Sequence, residues 1–116
     1  MNNNSAGQLA ELMAQWFMRL KGYRIVAQNV ITGKGTHSGE VDFIARRGKT
    51  LVFVEVKKRS SLENAAYAIK PAQQQRIRNG AAVFLKKNPQ YRDFDIRFDA
   101  VLVTFPCTIK HIENAW

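Results

Sequence analysis

Cysteine is nearly absent from this chain of 116 residues, and its one copy, Cys107, can neither form an internal disulfide nor build a cysteine-based zinc site. Long apolar runs are missing too. The longest candidate, LVFVEV at 51–56, contains Glu55 and is far shorter than the roughly 20 residues that span a bilayer. The first residues, MNNNS, lack the basic-then-apolar layout of a signal peptide. We therefore expect a cytoplasmic protein without a membrane span.

Acidic residues are scarce relative to basic ones. Nine Asp and Glu stand against 18 Lys and Arg, which gives a formal net charge of +9. This excess favours polyanionic partners, because each phosphate that is neutralised releases condensed counterions. An anionic membrane surface would attract the same charge, and a generally basic protein has the same composition. The charge alone leaves these alternatives open.

Length and patterning predict one domain, 1–116, with a disordered tail at 1–4. The predicted elements are a helix over 5–21, strands over 23–30, 40–46 and 50–57, a helix over 71–87, a strand over 95–105, and a tail that adds a short edge strand or packs loosely. Residues 62–69 are ambiguous. This order predicts an α/β fold with a mixed central sheet flanked by helices. On the first helix the large apolar residues recur at helical spacing, and we expect Trp16 and Phe17 in the core.

The predicted hairpin at 40–57 is the most informative segment. With 47–48 as its turn, Asp42 lies opposite Phe53, and Glu40 lies opposite Glu55. Because side chains alternate along a strand, each strand has one core face and one chemical face. The chemical face carries Glu40, Asp42, Phe53, Glu55 and Lys57, and the core face carries Val41, Phe43, Val52, Val54 and Val56.

Three carboxylates and a lysine on one face suit a divalent cation. Glu40 opposite Glu55 is a repulsive pair, and Mg²⁺ removes that penalty because it binds through carboxylates, water and substrate phosphate. Lys57 can stabilise charge at phosphorus or orient an attacking water. The pattern predicts a site for a divalent cation such as Mg²⁺, made by Asp42, Glu55 and Glu40.

The alternative is an ordinary solvated hairpin face, on which Lys57 simply pairs with Glu55 or Asp42. Against this alternative, the strand before Glu55 is almost wholly apolar, as in a strand that is buried on both faces. A carboxylate at the end of such a strand is costly unless something compensates it.

The segments GEVDFIA at 39–45 and VFVEVKKR at 52–59 resemble the YraN family of bacterial proteins, whose members are predicted endonucleases. The spacing of Asp42, Glu55 and Lys57 is similar to the PD-(D/E)xK pattern of restriction-endonuclease-like folds, which include archaeal Holliday junction resolvases. Val41 stands in place of the proline of that pattern. The resemblance runs from about residue 7 to the end of the chain.

The resemblance implies a restriction-endonuclease-like domain that hydrolyses phosphodiester bonds in DNA, with branched or junction DNA as the expected substrate class. It implies that Asp42 and Glu55 hold Mg²⁺ or Mn²⁺, that Lys57 is the catalytic lysine, and that Glu11 completes the site from the first helix. Since junction resolvases act as symmetric dimers, it also implies a homodimer. Family members commonly carry a lysine early in the second helix, where this chain has Gln73.

Basic residues around the hairpin are the expected phosphate contacts. Solvated charge is the alternative for any one of them, and His37, in a glycine-rich loop, is a weaker candidate. The nucleic-acid contacts that we predict are Arg46, Arg47, Lys58, Arg59, Arg76 and Gln73. For Asp99, which follows Arg97 on the last long strand, we expect a structural ion pair or hydrogen bond.

Two other functions compete with the enzyme. One is a non-catalytic nucleic-acid-binding module on a nuclease scaffold. The other is an interaction protein whose basic face binds an acidic partner or lipid. The intact set of two acids and a lysine favours the enzyme, because a site without activity has little reason to keep all three. Fold alone does not decide between them.

Overall fold

The computed structural model describes residues 5–32, 39–59, 69–105 and 108–116. The expected tail at 1–4, the glycine-rich loop with His37, residues 62–68, Cys107 and the side chain of Arg59 lie outside this description. The elements are α1 (Ser5–Leu20), β1 (Arg24–Thr32), β2 (Gly39–Arg47), β3 (Thr50–Arg59), α2 (Pro71–Lys87), a 3₁₀ turn (Pro89–Tyr91), β4 (Asp95–Thr104) and β5 (Thr108–Ile112). The predicted order is confirmed, and the tail does form an edge strand.

The five strands make one sheet in the order β1-β2-β3-β4-β5. Neighbouring strands are antiparallel except β3 and β4, which are parallel and are joined through α2. The prediction of an α/β fold with a mixed sheet is therefore confirmed, and the arrangement is consistent with a restriction-endonuclease-like domain. In the described part of the chain, neither helix is long and apolar enough to cross a membrane.

Helix α1 buries small residues against the sheet. Ala10, Ala14 and Met18 are at most 1% exposed and pack on Phe43 and Val54. The expectation that Trp16 lies in the core is wrong, since its side chain is 62% exposed. Alanines allow the helix backbone to approach the sheet closely, so the larger apolar residues point outward. These exposed residues are Leu9, Leu12, Trp16 and Leu20.

The other face of the sheet packs against α2. Ile77 and Ala81 contact a cluster that contains Val41, Ile44 and Phe53. The expectation that Val41 shares a face with Phe43 is wrong, because the two side chains belong to clusters on opposite faces.

The hairpin register also differs from the prediction. Its turn is Gly48 and Lys49, so Arg47 pairs with Thr50. Gly48 has a φ of 59°, which glycine adopts without steric cost and which suits the first position of a two-residue turn. The predicted pairs Asp42–Phe53 and Glu40–Glu55 are therefore wrong by two residues along the strand. A shift of two preserves the alternation, which is why Ile44 and Phe53 still share a face.

Helix α2 touches the start of β2 backbone to backbone. A Cβ on Gly39 would lie 2.2 Å from the backbone nitrogen of Gly80, and a Cβ on Gly80 would lie 3.1 Å from that of Glu40. Both glycines thus let the helix and the strand approach one another more closely than side chains allow. This contact fixes α2 beside the strand that carries Asp42.

Candidate active site

The strand pairing between β2 and β3 ends next to Asp42. The last backbone pair is Phe43 with Val54, and beyond it the Asp42 Oδ2 atom accepts a hydrogen bond from the Val56 backbone N–H at 2.8 Å. The change of face between Phe43 and Val41 occurs at the same position. The carboxylate of Asp42 therefore bridges to β3 where the backbone no longer does.

Glu55 lies beside Asp42 and is only 5% exposed. The two carboxyl groups are close enough for each to alter the pKa of the other. The Lys57 Nζ atom lies 3.1 Å from the Glu55 Oε2 atom, and the Gln73 amide nitrogen donates to that same oxygen. The structure thus brings together Asp42, Glu55 and Lys57, as the sequence predicted, and it adds Gln73 from α2.

Burial gives the acids of this cleft unusual proton affinities. Desolvation, reinforced by the charge of Asp42, raises the pKa of Glu55 to about 7. Burial also raises the pKa of Asp42, although the Val56 N–H and Lys57 oppose the rise. On α1, burial and then the charges of Asp42 and Glu40 raise the pKa of Glu11 to about 7. Lys57 alone does not neutralise this group of acids, so the cleft favours either a proton or an added cation.

We expect the metal-free protein to lose stability as the pH rises from about 5 to about 8. Glu55 has a pKa of about 7 when folded against an ordinary 4.5, so between these values the folded chain binds more protons than the unfolded chain. This stabilisation is complete below the lower value and is lost as the pH rises through the upper one. Urea unfolding at a series of pH values should show a loss on the order of 1–3 kcal/mol.

The control for this pH dependence is Glu55→Gln, which should reduce the loss of stability because that side chain no longer titrates. Glu11, whose pKa is also raised to about 7, should account for the loss that remains. Asp99 does not interfere. Burial alone would raise its pKa, but hydrogen bonds from His111, Arg97 and Asn114 together outweigh burial and lower the pKa, so its own contribution falls at more acidic pH. If the free energy of unfolding of the wild type instead rose between about pH 5 and about pH 8, the assignment of buried, uncompensated acids would be wrong.

The donors of the cleft fit a cation that keeps most of its water. Among the described residues no group of three or more acidic, histidine or cysteine side chains is arranged to hold a metal ion. Glu40, the predicted third ligand, is 48% exposed and instead forms an ion pair of 2.6 Å with Arg76. Asp42 and Glu55 remain as a pair of adjacent carboxylates. Two carboxylates plus water and substrate phosphate are a usual ligand set for Mg²⁺.

The predicted basic contacts divide into two groups. Gln73 and Arg76, on α2, border the cleft through Glu55 and Glu40. Arg46 and Arg47 lie at the turn end of β2, roughly 13–17 Å along the strand from Asp42. The structure does not bring these two arginines to the cleft.

Local contacts occupy both arginines of the turn. The guanidinium of Arg46 lies 4.8 Å from the ring centre of Phe94, and that of Arg47 lies 4.4 Å from the ring centre of Tyr23. Arg47 also donates to the backbone carbonyl of Lys21 at 3.1 Å. Lys58, next to Lys57, is exposed, and its Nζ atom lies 5.9 Å from the ring centre of Phe105.

Asp99 anchors the C-terminal segment. It is fully buried and accepts hydrogen bonds from Arg97, from the His111 Nε2 atom at 2.7 Å and from the Asn114 backbone N–H at 3.0 Å. Lys21 donates to the other ring nitrogen of His111 at 2.6 Å. The expected structural role of Asp99 is confirmed. The alternation of Arg97 and Asp99 signalled it, whereas the sequence held no sign that His111 is its partner.

Sequence reasoning missed a cluster of amides beside Glu11. Gln8, Gln15, Gln28 and Asn29 line a surface cavity together with Glu11 and Leu12. No spacing rule connects residues 8–15 with residues 28–29, because β1 meets α1 only in the folded chain. An asparagine three residues before the end of a strand is not unusual in a sequence, but Asn29 has a φ of 53°, in the region that favours glycine.

Comparisons with known proteins place the chain among relatives of similar length. A model of the "Uncharacterised protein family UPF0102" matches residues 10–103. A UPF0102 protein of Paramagnetospirillum magneticum is 44% identical over 110 residues, or 95% of this chain and 85% of the relative. One of Nitrobacter winogradskyi is 43% identical over 111 residues, or 96% and 91%. One of Parvibaculum lavamentivorans is 42% identical over 110 residues, or 95% and 80%. None of these names states an activity.

Proposed function

Given that the chain belongs to the UPF0102 family, the YraN family that its motifs resemble, we propose that it is a metal-dependent nuclease that hydrolyses phosphodiester bonds in DNA. The observation that carries the proposal is the convergence of Asp42, Glu55 and Lys57 where β2 separates from β3. The net charge of +9 supports a nucleic acid as the substrate. The family relationship establishes common ancestry, and the chemistry is inferred from the cleft.

In this proposal Asp42 and Glu55 hold Mg²⁺ or Mn²⁺. The bound cation supplies Lewis-acid polarisation of a phosphoryl oxygen and lowers the pKa of water. Lys57 places a positive charge 3.1 Å from Glu55, where it can neutralise the charge that develops at phosphorus. Gln73 orients the Glu55 carboxylate by donating to it. Glu11 adds a third acid from α1, and Arg76 offers a guanidinium to a neighbouring phosphate at the cleft border.

A cleavage survey tests the proposal. Purified protein is incubated with single-stranded, duplex, flap and four-way DNA, and with RNA, in Mg²⁺, in Mn²⁺ and in EDTA. We expect cleavage of at least one DNA form with either metal and none in EDTA. Binding without cleavage of any form, in either metal, would overturn the proposal and favour the non-catalytic binding module.

Substitution of two adjacent lysines, one at a time, distinguishes a role in catalysis from general electrostatic attraction of DNA. Lys57→Ala should slow cleavage by at least about tenfold, because a charge that acts on the transition state is lost. Lys58→Ala removes the same charge from the next residue, whose side chain points to the other face of the strand. Both variants should weaken DNA binding slightly and to a similar extent. Equal losses of cleavage in both would show that Lys57 contributes only general electrostatic attraction.

A further inference from the structure

A cavity of about 430 Å³ opens beside the cleft, between α1 and β1. Four of its six lining residues carry amides, and among the residues described around it none is cationic. The nearest charge is the carboxyl of Glu11. A phosphate is therefore a poor occupant, whereas a neutral group with adjacent donors and acceptors matches amide side chains.

The amides of this cavity are partly organised already. Gln15 is 3% exposed, and its Nε2 atom donates to the Gln28 Oε1 atom at 3.2 Å. That bond uses the oxygen of Gln28 and leaves its two N–H groups for another partner. Gln8 and Gln28 are exposed, so their amides are accessible from the cavity.

The cavity adjoins the acid pair. The β1–β2 register, which pairs Val30 with Val41, places Asn29 opposite Asp42. Asn29 adopts its left-handed conformation shortly after an irregularity in β1 between Ile25 and Ala27. Bulges and strained residues of this kind redirect side chains and occur often beside functional sites.

An aromatic ring stands near the same side of α1. Trp16 is 62% exposed and follows Leu12, a lining residue of the cavity, by one helical turn. The Arg19 guanidinium lies 5.7 Å from the centre of the Trp16 ring. Exposed aromatic rings are the platforms on which proteins stack unpaired bases.

We propose that this amide cavity accepts the base of an unpaired nucleotide next to the phosphate to be cleaved, with Trp16 stacking on a neighbouring base. A nucleobase edge presents adjacent donors and acceptors without charge, and amide side chains pair with such edges. A base can enter the cavity only when it is unstacked. The inference rests on the proposed nuclease function and defines its substrate as DNA with a single-stranded, bulged or flap nucleotide.

Binding in EDTA, where the proposed cleavage cannot occur, tests the cavity without relying on catalysis. The probes are a short duplex with one unpaired adenine and the same duplex with an abasic residue in its place, measured by fluorescence anisotropy. Wild-type protein should bind the adenine form about tenfold more tightly, because the abasic form has no base to stack on an aromatic ring or to pair with the amides of the cavity. Gln28→Leu should remove most of that difference and leave abasic binding unchanged.

Gln90→Leu is the matched control, because Gln90 is an exposed glutamine in the 3₁₀ turn and does not line the cavity. Gln8→Leu provides a second test on the exposed surface of α1 if Gln28→Leu fails to fold. Equal binding of the two probes by the wild type, or equal losses on both probes in Gln28→Leu, would overturn the proposal. RNA versions of the probes show whether the sugar is also recognised.

The outcomes separate this inference from the nuclease proposal. Adenine-dependent binding without cleavage in any metal would refute the nuclease and keep the cavity. Cleavage with no dependence on an unpaired base would refute the cavity alone. If Trp16→Ala instead converted a dimer into a monomer in sedimentation and left base dependence unchanged, the exposed face of α1 would be a subunit interface, and the stacking role of Trp16 would be wrong.

Discussion

Asp42→Asn should reduce Mg²⁺-dependent cleavage by on the order of a hundredfold or more, because the lost metal-ion stabilisation costs several kcal/mol of barrier. The variant should fold normally. An asparagine side-chain oxygen can still accept the hydrogen bond from the Val56 N–H that Asp42 accepts at 2.8 Å. DNA binding should stay the same or tighten, because a negative charge that faces phosphate is removed. The divergence of cleavage from binding is the informative result.

The matched control is Asp95→Asn, which makes the same substitution at an exposed aspartate at the start of β4, far from the cleft. Its cleavage and binding should both stay close to those of the wild type. Cleavage by Asp42→Asn at the wild-type rate would refute the metal-ligand role. Unfolding of Asp42→Asn, with Asp95→Asn intact, would show that the acid is structural and that the site assignment fails.

Gly39→Ala should destabilise the protein severely. The new Cβ would lie 2.2 Å from the Gly80 nitrogen and 2.5 Å from its Cα atom, so α2 must move away from β2. Overpacking costs typically 1–3 kcal/mol when side chains can yield, and here the neighbour is backbone, so we expect about 3 kcal/mol or more. Thermal unfolding should show a loss of roughly 10–20 °C.

Gly7→Ala is the control for the glycine contact. A Cβ on Gly7 would meet nothing within 4 Å. In α1 this substitution should raise stability by about 0.5–1 kcal/mol, because alanine loses less backbone entropy than glycine in a helix. If Gly39→Ala melted within about 2 °C of the wild type, the backbone contact between α2 and β2 would not hold the helix in place.

The order of helices and strands could be predicted from the sequence because each element carries its own period and its own breakers. Lys21 and Gly22 end α1, Pro71 opens α2, and the apolar run before Glu55 identifies a buried strand. The grouping of Asp42, Glu55 and Lys57 also followed from alternation. The observed turn lies one residue later than predicted, which shifts the pairing of the two strands by two residues. Because a shift of two preserves the alternation of side chains, this error in register did not separate the three side chains.

The wrong predictions concern features that the spacing of apolar residues along the sequence does not reveal. Large apolar residues dominate the pattern of α1, but alanines decide which face can approach the sheet, so Trp16 was assigned to the wrong side. Val41 lies on the face opposite to that predicted, and this change of face occurs where the pairing between β2 and β3 stops, next to Asp42. The amide cavity joins α1 to β1 across the fold, and no local signal could have predicted it.

The hydrogen bond from the Val56 N–H to Asp42 gives this site its own spectroscopic reporter. A backbone amide proton that is bound to a carboxylate changes its chemical shift when that carboxylate gains a proton or a cation. None of the proposed substitutions changes Val56, so its amide signal can be followed in every variant that keeps a hydrogen-bond acceptor at position 42. The occupancy of the cleft can therefore be measured by NMR on the resting protein, independently of turnover, of DNA and of the choice of substrate.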